Sequence, residues 1–162
     1  MQKFEELKQL IDKIKKQESL VPLLSDFLDW FVEKLNIEFF NKNNSIVPKK
    51  WDIFYVNLWK NIGSELNKIR PCIVVSKRKF NAWWTVLIAP LRSYKWKDKK
   101  YFIKIEPDDI NNLWKVSLVD IFAIRQVDKK RLKQKIWKLS GENLYNVDTV
   151  LLKIFWIKNS GD

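Results

Sequence analysis

The stretch from Gly63 to Pro71 holds the residues best suited to chemistry. Gly63, Ser64 and Glu65 make a turn that carries a carboxylate, and Arg70-Pro71 opens the apolar run CIVVS. Proline bars its predecessor from helix, so Arg70 is expected to be extended at the entrance of a strand. A guanidinium fixed there, near a loop carboxylate, is preorganised to bind a phosphate. The plainer alternative is a turn closed by an Arg–Glu ion pair. What the chain lacks narrows the chemistry further. It has no histidine, which removes Ser-His-Asp triads, Cys-His dyads and most transition-metal sites. The single cysteine, Cys72, allows no internal disulfide and no zinc site built on cysteine pairs. Three glycines are too few for a Gly-rich nucleotide cradle. Any catalysis therefore runs on Arg, Lys, Asp, Glu, Ser, Thr or Tyr.

Charge points to the kind of ligand. The 162 residues hold 31 Lys+Arg against 19 Asp+Glu, a net +12. Residues 1–47 carry 7 lysines and 8 carboxylates, a balance of −1, and residues 48–162 carry the remaining excess, +13. Eight of the nine tryptophans also lie in 48–162. A basic module with interleaved aromatic rings suits unpaired bases and their phosphates. The competing interpretation is that tryptophan fills the core while lysine solubilises the surface.

These residues need elements to position them. Phe4, Leu7, Leu10, Ile11 and Ile14 recur at helical spacing over 3–17, and Leu24, Phe27, Leu28, Phe31 and Leu35 do so over 20–38, with Pro22 in the first turn. The polar run NKNNSIVPKK (41–50) is the expected linker. The period then changes. WDIFYVNL (51–58), PCIVVS (71–76), WWTVLIAP (83–90) and YFIKIE (101–106) are expected strands, with loops at 59–70 and 106–113. Residues 114–127 look strand-like with a bulge or a break. Asp128 is a plausible cap for a short basic helix, KKRLKQKIW, and Ser140 for a final helix through Lys158. The expected class is α+β with a mainly β core, a small bent sheet or partial barrel. Its domains are a helical extension (1–47) and the basic module (48–162). Trp83 and Trp84 cannot both face the core of a half-buried strand, so one is expected at an interface, with dimerisation as the best guess. No apolar run is long enough to cross a bilayer, and MQKFEELKQL is not a secretory signal, so a cytoplasmic location is expected.

The order of residues resembles a known family. G-S-E-x-x-x-x-R-P-x-x-V-V-S, then Phe80-Asn81, IAPLRS (88–93), SLVDIFAIRQVDKKRL (117–132) and KIWKLSGENLYNVDTVLLKIF (135–155) are similar, in sequence order, to the MazF/PemK toxins of toxin–antitoxin modules. The resemblance spans about 49–157. It implies an SH3-like barrel with a C-terminal helix, a homodimer with RNA in grooves at the interface, and an acidic antitoxin partner. It also implies cleavage of single-stranded RNA without metal or cofactor, by 2′-OH attack to a 2′,3′-cyclic phosphate and a 5′-OH.

By that resemblance, Arg70 takes the place of the essential arginine, a phosphate stabiliser and possible proton donor to the leaving group. Glu65 takes the place of the loop glutamate, a candidate base or a partner orienting Arg70. The family's P-L-[ST]-S becomes PLRS, so Arg92 stands where a hydroxyl is expected and Ser93 follows it. Asp120 keeps the acid of V-D-Q-I-R, but Ile121-Phe122-Ala123 precede Ile124-Arg125. Arg70, Glu65, Ser93 and Asp120 are thus the candidate catalytic residues. Ser64, Lys68, Arg92, Tyr94, Lys95, Trp96, Lys97 and Arg125 are the candidate RNA contacts. The departures at Arg92 and Phe122 leave open a member that binds RNA or an antitoxin without cutting. A third possibility is an interaction module whose basic face meets an acidic protein.

Overall fold

The computed structural model describes residues 2–41, 46–59, 65–94 and 102–154. They fall into two compact units, Met1–Asn41 and Lys42–Asp162. In the first, α1 (Gln2–Lys15) and α2 (Val21–Leu35) are joined by a 3-10 turn at Glu18–Leu20, and α2 runs on into a π-helical turn at Asn36–Phe40. Pro22 lies in the first turn of α2, where its missing N–H costs nothing.

Among the described residues, the second unit is a seven-stranded antiparallel sheet with one α-helix. The strands are β1 (Asp52–Asn57), β2 (Ile69–Val74), β3 (Thr85–Ser93), β4 (Ile103–Ile105), β5 (Ser117–Val119), β6 (Arg125–Asp128) and β7 (Leu132–Lys138), and α3 (Gly141–Ile154) follows. The spatial order is β4-β5-β3-β2-β1-β7, with β6 also on β3. Apolar clusters cover both faces of the central strands. One contains Ile53, Ile73, Leu91, Val119 and Val147. The other contains Phe54, Val56, Cys72, Val74, Ile88 and Leu132. Burial on two faces is why the sequence shows continuous apolar runs here instead of strict alternation.

β3 serves two ladders along one edge. Thr85–Ile88 pair with β6, and Leu91–Ser93 pair with β5. Between these ladders, residues 120–124 stand opposite only Ala89 and Pro90. The excess is taken up by a 3-10 turn at Ile121–Ala123, the break expected in 114–127. Asp120 starts this turn. Its backbone N–H donates to Pro90 O, and its carboxylate accepts the Ala123 N–H at 3.2 Å. The same buried carboxylate lies 3.4 Å from Arg92 Nη1, and the Arg92 guanidinium sits 5.1 Å from the centre of the Phe102 ring.

The expected helix over KKRLKQKIW does not form. Asp128 does cap, accepting the Lys130 N–H, but only a single 3-10 turn follows (Lys129–Arg131), and the chain continues as β7 on the free edge of β1. Leu132 and Ile136 are four apart, a spacing that shares a face in a helix and in a flat strand alike. Register shifts in the β1–β7 pairing resolve the ambiguity by sending Leu132 to one apolar cluster and Ile136 to the other. A second correction concerns Trp83-Trp84. β3 begins at Thr85, so both tryptophans precede it, 72% and 64% exposed, and strand alternation does not apply to them.

Two polar knots fix the loops. The Asn81 amide is fully buried; it donates to Pro48 O at 2.9 Å and Ser76 O at 3.0 Å, and its Oδ1 accepts from Ser76 Oγ. The buried Lys129 Nζ donates to Asn81 O at 3.3 Å. The segment 106–113 is organised by Asp108, whose Oδ1 accepts the Ile110 and Asn111 N–H groups at 2.8 and 2.6 Å, and whose Oδ2 accepts from Ser140 Oγ at the start of α3. Slight burial acts to raise the Asp108 carboxyl, but the hydrogen bonds from Ser140, Asn111 and Ile110 outweigh it and leave the group below its ordinary value.

A carboxyl held lower in the folded chain than in the unfolded one contributes stability above its unfolded value. That stability is lost as pH falls through the folded value. The Asp108→Asn variant should therefore lose less stability than the parent between about pH 5 and pH 3, as read from urea midpoints across that range. Asp120 tests the break between β5 and β6. Asp120→Ala removes both the cap and the charge opposite Arg92 and should cost about 2 kcal/mol. Asp120→Asn keeps an acceptor for Ala123 and should cost about half as much. Equal costs would mean that the cap contributes nothing.

Candidate nucleic-acid interface

Proline at 71 has the expected effect. Arg70 is extended in β2, opposite Val56 of β1, and Pro71 lies opposite Tyr55. The Arg70 Nε donates to Asn67 O at 2.7 Å, which fixes the guanidinium against its own loop. Its two Nη groups have no partner among the described residues. Lys68, just ahead, adopts φ of 68°, a left-handed conformation that a lysine holds at some cost; its N–H and C=O are tied to Trp59 O and Leu58 N–H.

Arg70 borders a cleft of about 340 Å3 formed where β1, β2 and β3 end beside the segment 112–117. Arg92 and Ser93 line it too. β3 pairs with β5 without a bulge here, so Leu91 and Ser93 share a face and Arg92 takes the other; the strand stops at Ser93, and side chains of both faces reach the cleft. Lys68, Lys115, Tyr55, Asn112, Trp114 and Ser117 complete the polar and aromatic lining. Among the described residues, four cations and three hydroxyls face this space, and no carboxylate lines it. Trp114 is 79% exposed, with Lys115 Nζ 4.2 Å from its ring centre.

Several expected site residues lie elsewhere. Glu65 is exposed, does not line the cleft and has no hydrogen bond or ion pair with Arg70. Asp120 also stays out of the lining and meets it through its ion pair with Arg92. Tyr94 stands beside Lys104, whose Nζ is 5.7 Å from its ring centre. Ser64, Lys95, Trp96 and Lys97 lie outside the described residues.

Arg125 belongs to a second cationic group with Arg131; it pairs with Ile88 as Arg70 pairs with Val56, so Arg125 and Arg70 both lie on the sheet face of the Cys72 cluster. The Arg125 Nη2 donates to Leu58 O at 3.2 Å, while its Nε is buried without a partner. Arg131 stacks 3.4 Å from the Trp59 ring centre; burial first, and then the nearby Arg125 charge, hold its guanidinium below the ordinary arginine range. Two close arginines of this kind favour an anion between or beside them.

Cysteine chemistry is absent from either group. Burial pushes the Cys72 thiol up to about 12, against the pull of Arg125 and Arg70, so it stays protonated at neutral pH. Among the described residues, no cluster of three or more Cys, Asp or Glu side chains is placed to hold a metal. No described helix is long and apolar enough to cross a membrane.

Tyr55, Asn112, Trp114, Lys115 and Ser117 were not singled out in the sequence. Trp114-Lys115 sets a cation beside an aromatic ring, as the candidate contacts Lys95 and Trp96 do in the sequence, but it opens a strand-like segment and passes for core. The other three reach the cleft through tertiary pairing alone.

Known structures share this architecture. MazF (Form-I) from Deinococcus radiodurans superposes with a TM-score of 0.58 at 19% identity, covering 70% of this chain and 100% of that one. Mycobacterium tuberculosis toxin MazF-mt6 gives 0.53 at 16% identity, over 67% and 99%. A mycobacterial endoribonuclease solved in complex with its cognate antitoxin gives 0.53 at 14% identity, over 70% and 97%. At these identities the likeness establishes the fold, an SH3-like MazF-type barrel with a C-terminal helix. Residues 49–155 match the family model described as PemK-like, MazF-like toxin of type II toxin–antitoxin systems. By that match over most of its length, the chain belongs to the PemK-like, MazF-like toxin family.

Proposed function

We propose that this chain is an endoribonuclease toxin that cuts single-stranded RNA within the cleft beside Arg70. The observation that carries this reading is a strand-end cleft lined, among the described residues, by four cations and no carboxylate, with an exposed tryptophan at its rim. Such a lining attracts a phosphodiester and repels a divalent cation, so the reaction proposed needs no metal. The ribose 2′-oxygen attacks phosphorus, the P–O5′ bond breaks, and the products are a 2′,3′-cyclic phosphate and a 5′-OH. Negative charge builds on the non-bridging oxygens, and the Nη groups of Arg70, with Arg92 beside them, are suited to bind it. Ser93 offers a hydroxyl to the same oxygens. Trp114 and Tyr55 offer faces on which splayed bases stack. Glu65, exposed just ahead of β2, is the proposed base for the 2′ proton, reaching the cleft once RNA is bound. The reading includes a cytoplasmic homodimer built through the barrel, and an acidic antitoxin segment that competes for the same cations.

A second reading has its own observation. Arg92 occupies the place of the family's hydroxyl and is drawn to Asp120 at 3.4 Å. If that pair persists when RNA binds, the cleft holds phosphate without accelerating its cleavage.

Incubating the purified chain with a mixed RNA pool in EDTA separates the two readings, with product ends mapped. Cyclic phosphate ends are expected, and Arg70→Ala should slow their appearance by roughly 10²–10³-fold while leaving the urea midpoint in place. Cutting that survives Arg70→Ala would move the centre elsewhere; tight RNA binding with no products would favour the second reading. For binding, Trp114→Ala should weaken affinity by about 1–3 kcal/mol at fixed salt. Lys115→Ala should instead flatten the dependence of log K on log salt by about one unit.

A further inference from the structure

The helical hairpin Met1–Asn41 lies outside the family match, and its apolar side is uncovered within its own unit. Neither α1 nor α2 has a buried residue; Ile37, in the turn beyond α2, is the only one among the described residues of this unit. A groove of about 470 Å3 runs between the helices, walled by Leu7, Leu10 and Ile14 on one side and by Leu23, Phe27 and Phe31 on the other. Every residue lining it is apolar. Leu10 is 54% exposed and Phe27 49%, so each offers about half its surface to a partner.

We infer that this groove binds the same groove of a second copy, closing two hairpins into a four-helix bundle. The size of the surface supports that occupant. Large apolar and aromatic side chains carry on the order of 150–250 Å2 each, so the half-exposed ones here offer on the order of 500 Å2 per copy. Two copies together reach roughly 1,000 Å2, the level at which a specific interface holds. α1 and α2 are matched in length over the groove, 14 and 15 residues, and only the π-helical turn after α2 extends past that match. Charge points the same way. Residues 1–41 hold six lysines and eight carboxylates, a net −2, whereas residues 42–162 hold 25 Lys+Arg and 11 carboxylates, a net +14. The near-neutral hairpin can meet its own copy without the repulsion that two basic units face. A partner selected by charge would be expected to meet one sign, and the hairpin carries both.

Cross-linking in the full chain tests the inference apart from any pairing of the barrels. Cys72 is buried and protonated, so it stays silent toward maleimide and needs no replacement. Leu10→Cys, treated with a short bis-maleimide at micromolar concentration, should give covalent dimers in high yield. Gln9→Cys, on the opposite face of α1 by helical periodicity, should give several-fold less. Adding Phe27→Asp to Leu10→Cys should abolish the dimer product, while the less disruptive Phe27→Ala should reduce it. Equal yields from Leu10→Cys and Gln9→Cys would overturn the inference. So would the absence of dimers with Leu10→Cys. In that event a monofunctional maleimide names the cause: slow labelling means the groove is filled by another segment of the same chain, and fast labelling means it stands open to water.

Discussion

The cleft depends on a single strand that changes partners partway along. β3 has β6 on one edge for its first half and β5 for its last three residues, and the two ladders are separated by more chain on one side than on the other. Pro90 sits at the change. It has no N–H to donate, so nothing is lost when the neighbouring chain leaves the ladder, and its carbonyl still receives the Asp120 N–H. The change of partner falls just before Arg92 and Ser93, which line the same cleft as Arg70 near the start of β2.

The strands of the barrel were largely legible because their burial on two faces leaves apolar runs too long for loops and too short for helices. Arg70-Pro71 was legible for a sharper reason, since one covalent ring fixes the conformation of its neighbour. Residues 129–137 were not, because the evidence there was a four-residue spacing that helix and strand share, and only the open edge of β1 decides between them. Trp83-Trp84 misled through composition. Large rings beside a β-branched run suggest a strand, yet both stay in the turn ahead of it. Half of the cleft was hidden for a related reason: Tyr55, Asn112 and Ser117 are ordinary residues on separate segments, made neighbours by strand register.

The cleft's cations are not equivalent. The charge of Arg92 is partly balanced by Asp120, a carboxylate that also holds the turn between β5 and β6. The same acid thus serves the backbone and restrains the cleft's cation. Arg70 has no such carboxylate partner among the described residues, so the two arginines differ in how far each is already neutralised.

The Asn81 knot has a mechanical consequence. Its amide holds the carbonyl of Pro48, and within four residues the chain is tied again, by Lys49 N–H to Asp52, Trp51 N–H to Val74 O and Leu139 N–H to Trp51 O. Tension arriving along the backbone from the hairpin side meets this series of anchors in shear before it can peel β1 from its neighbours. Every one of these anchors is a bond within the barrel unit itself, so the start of β1 is held from several directions at once.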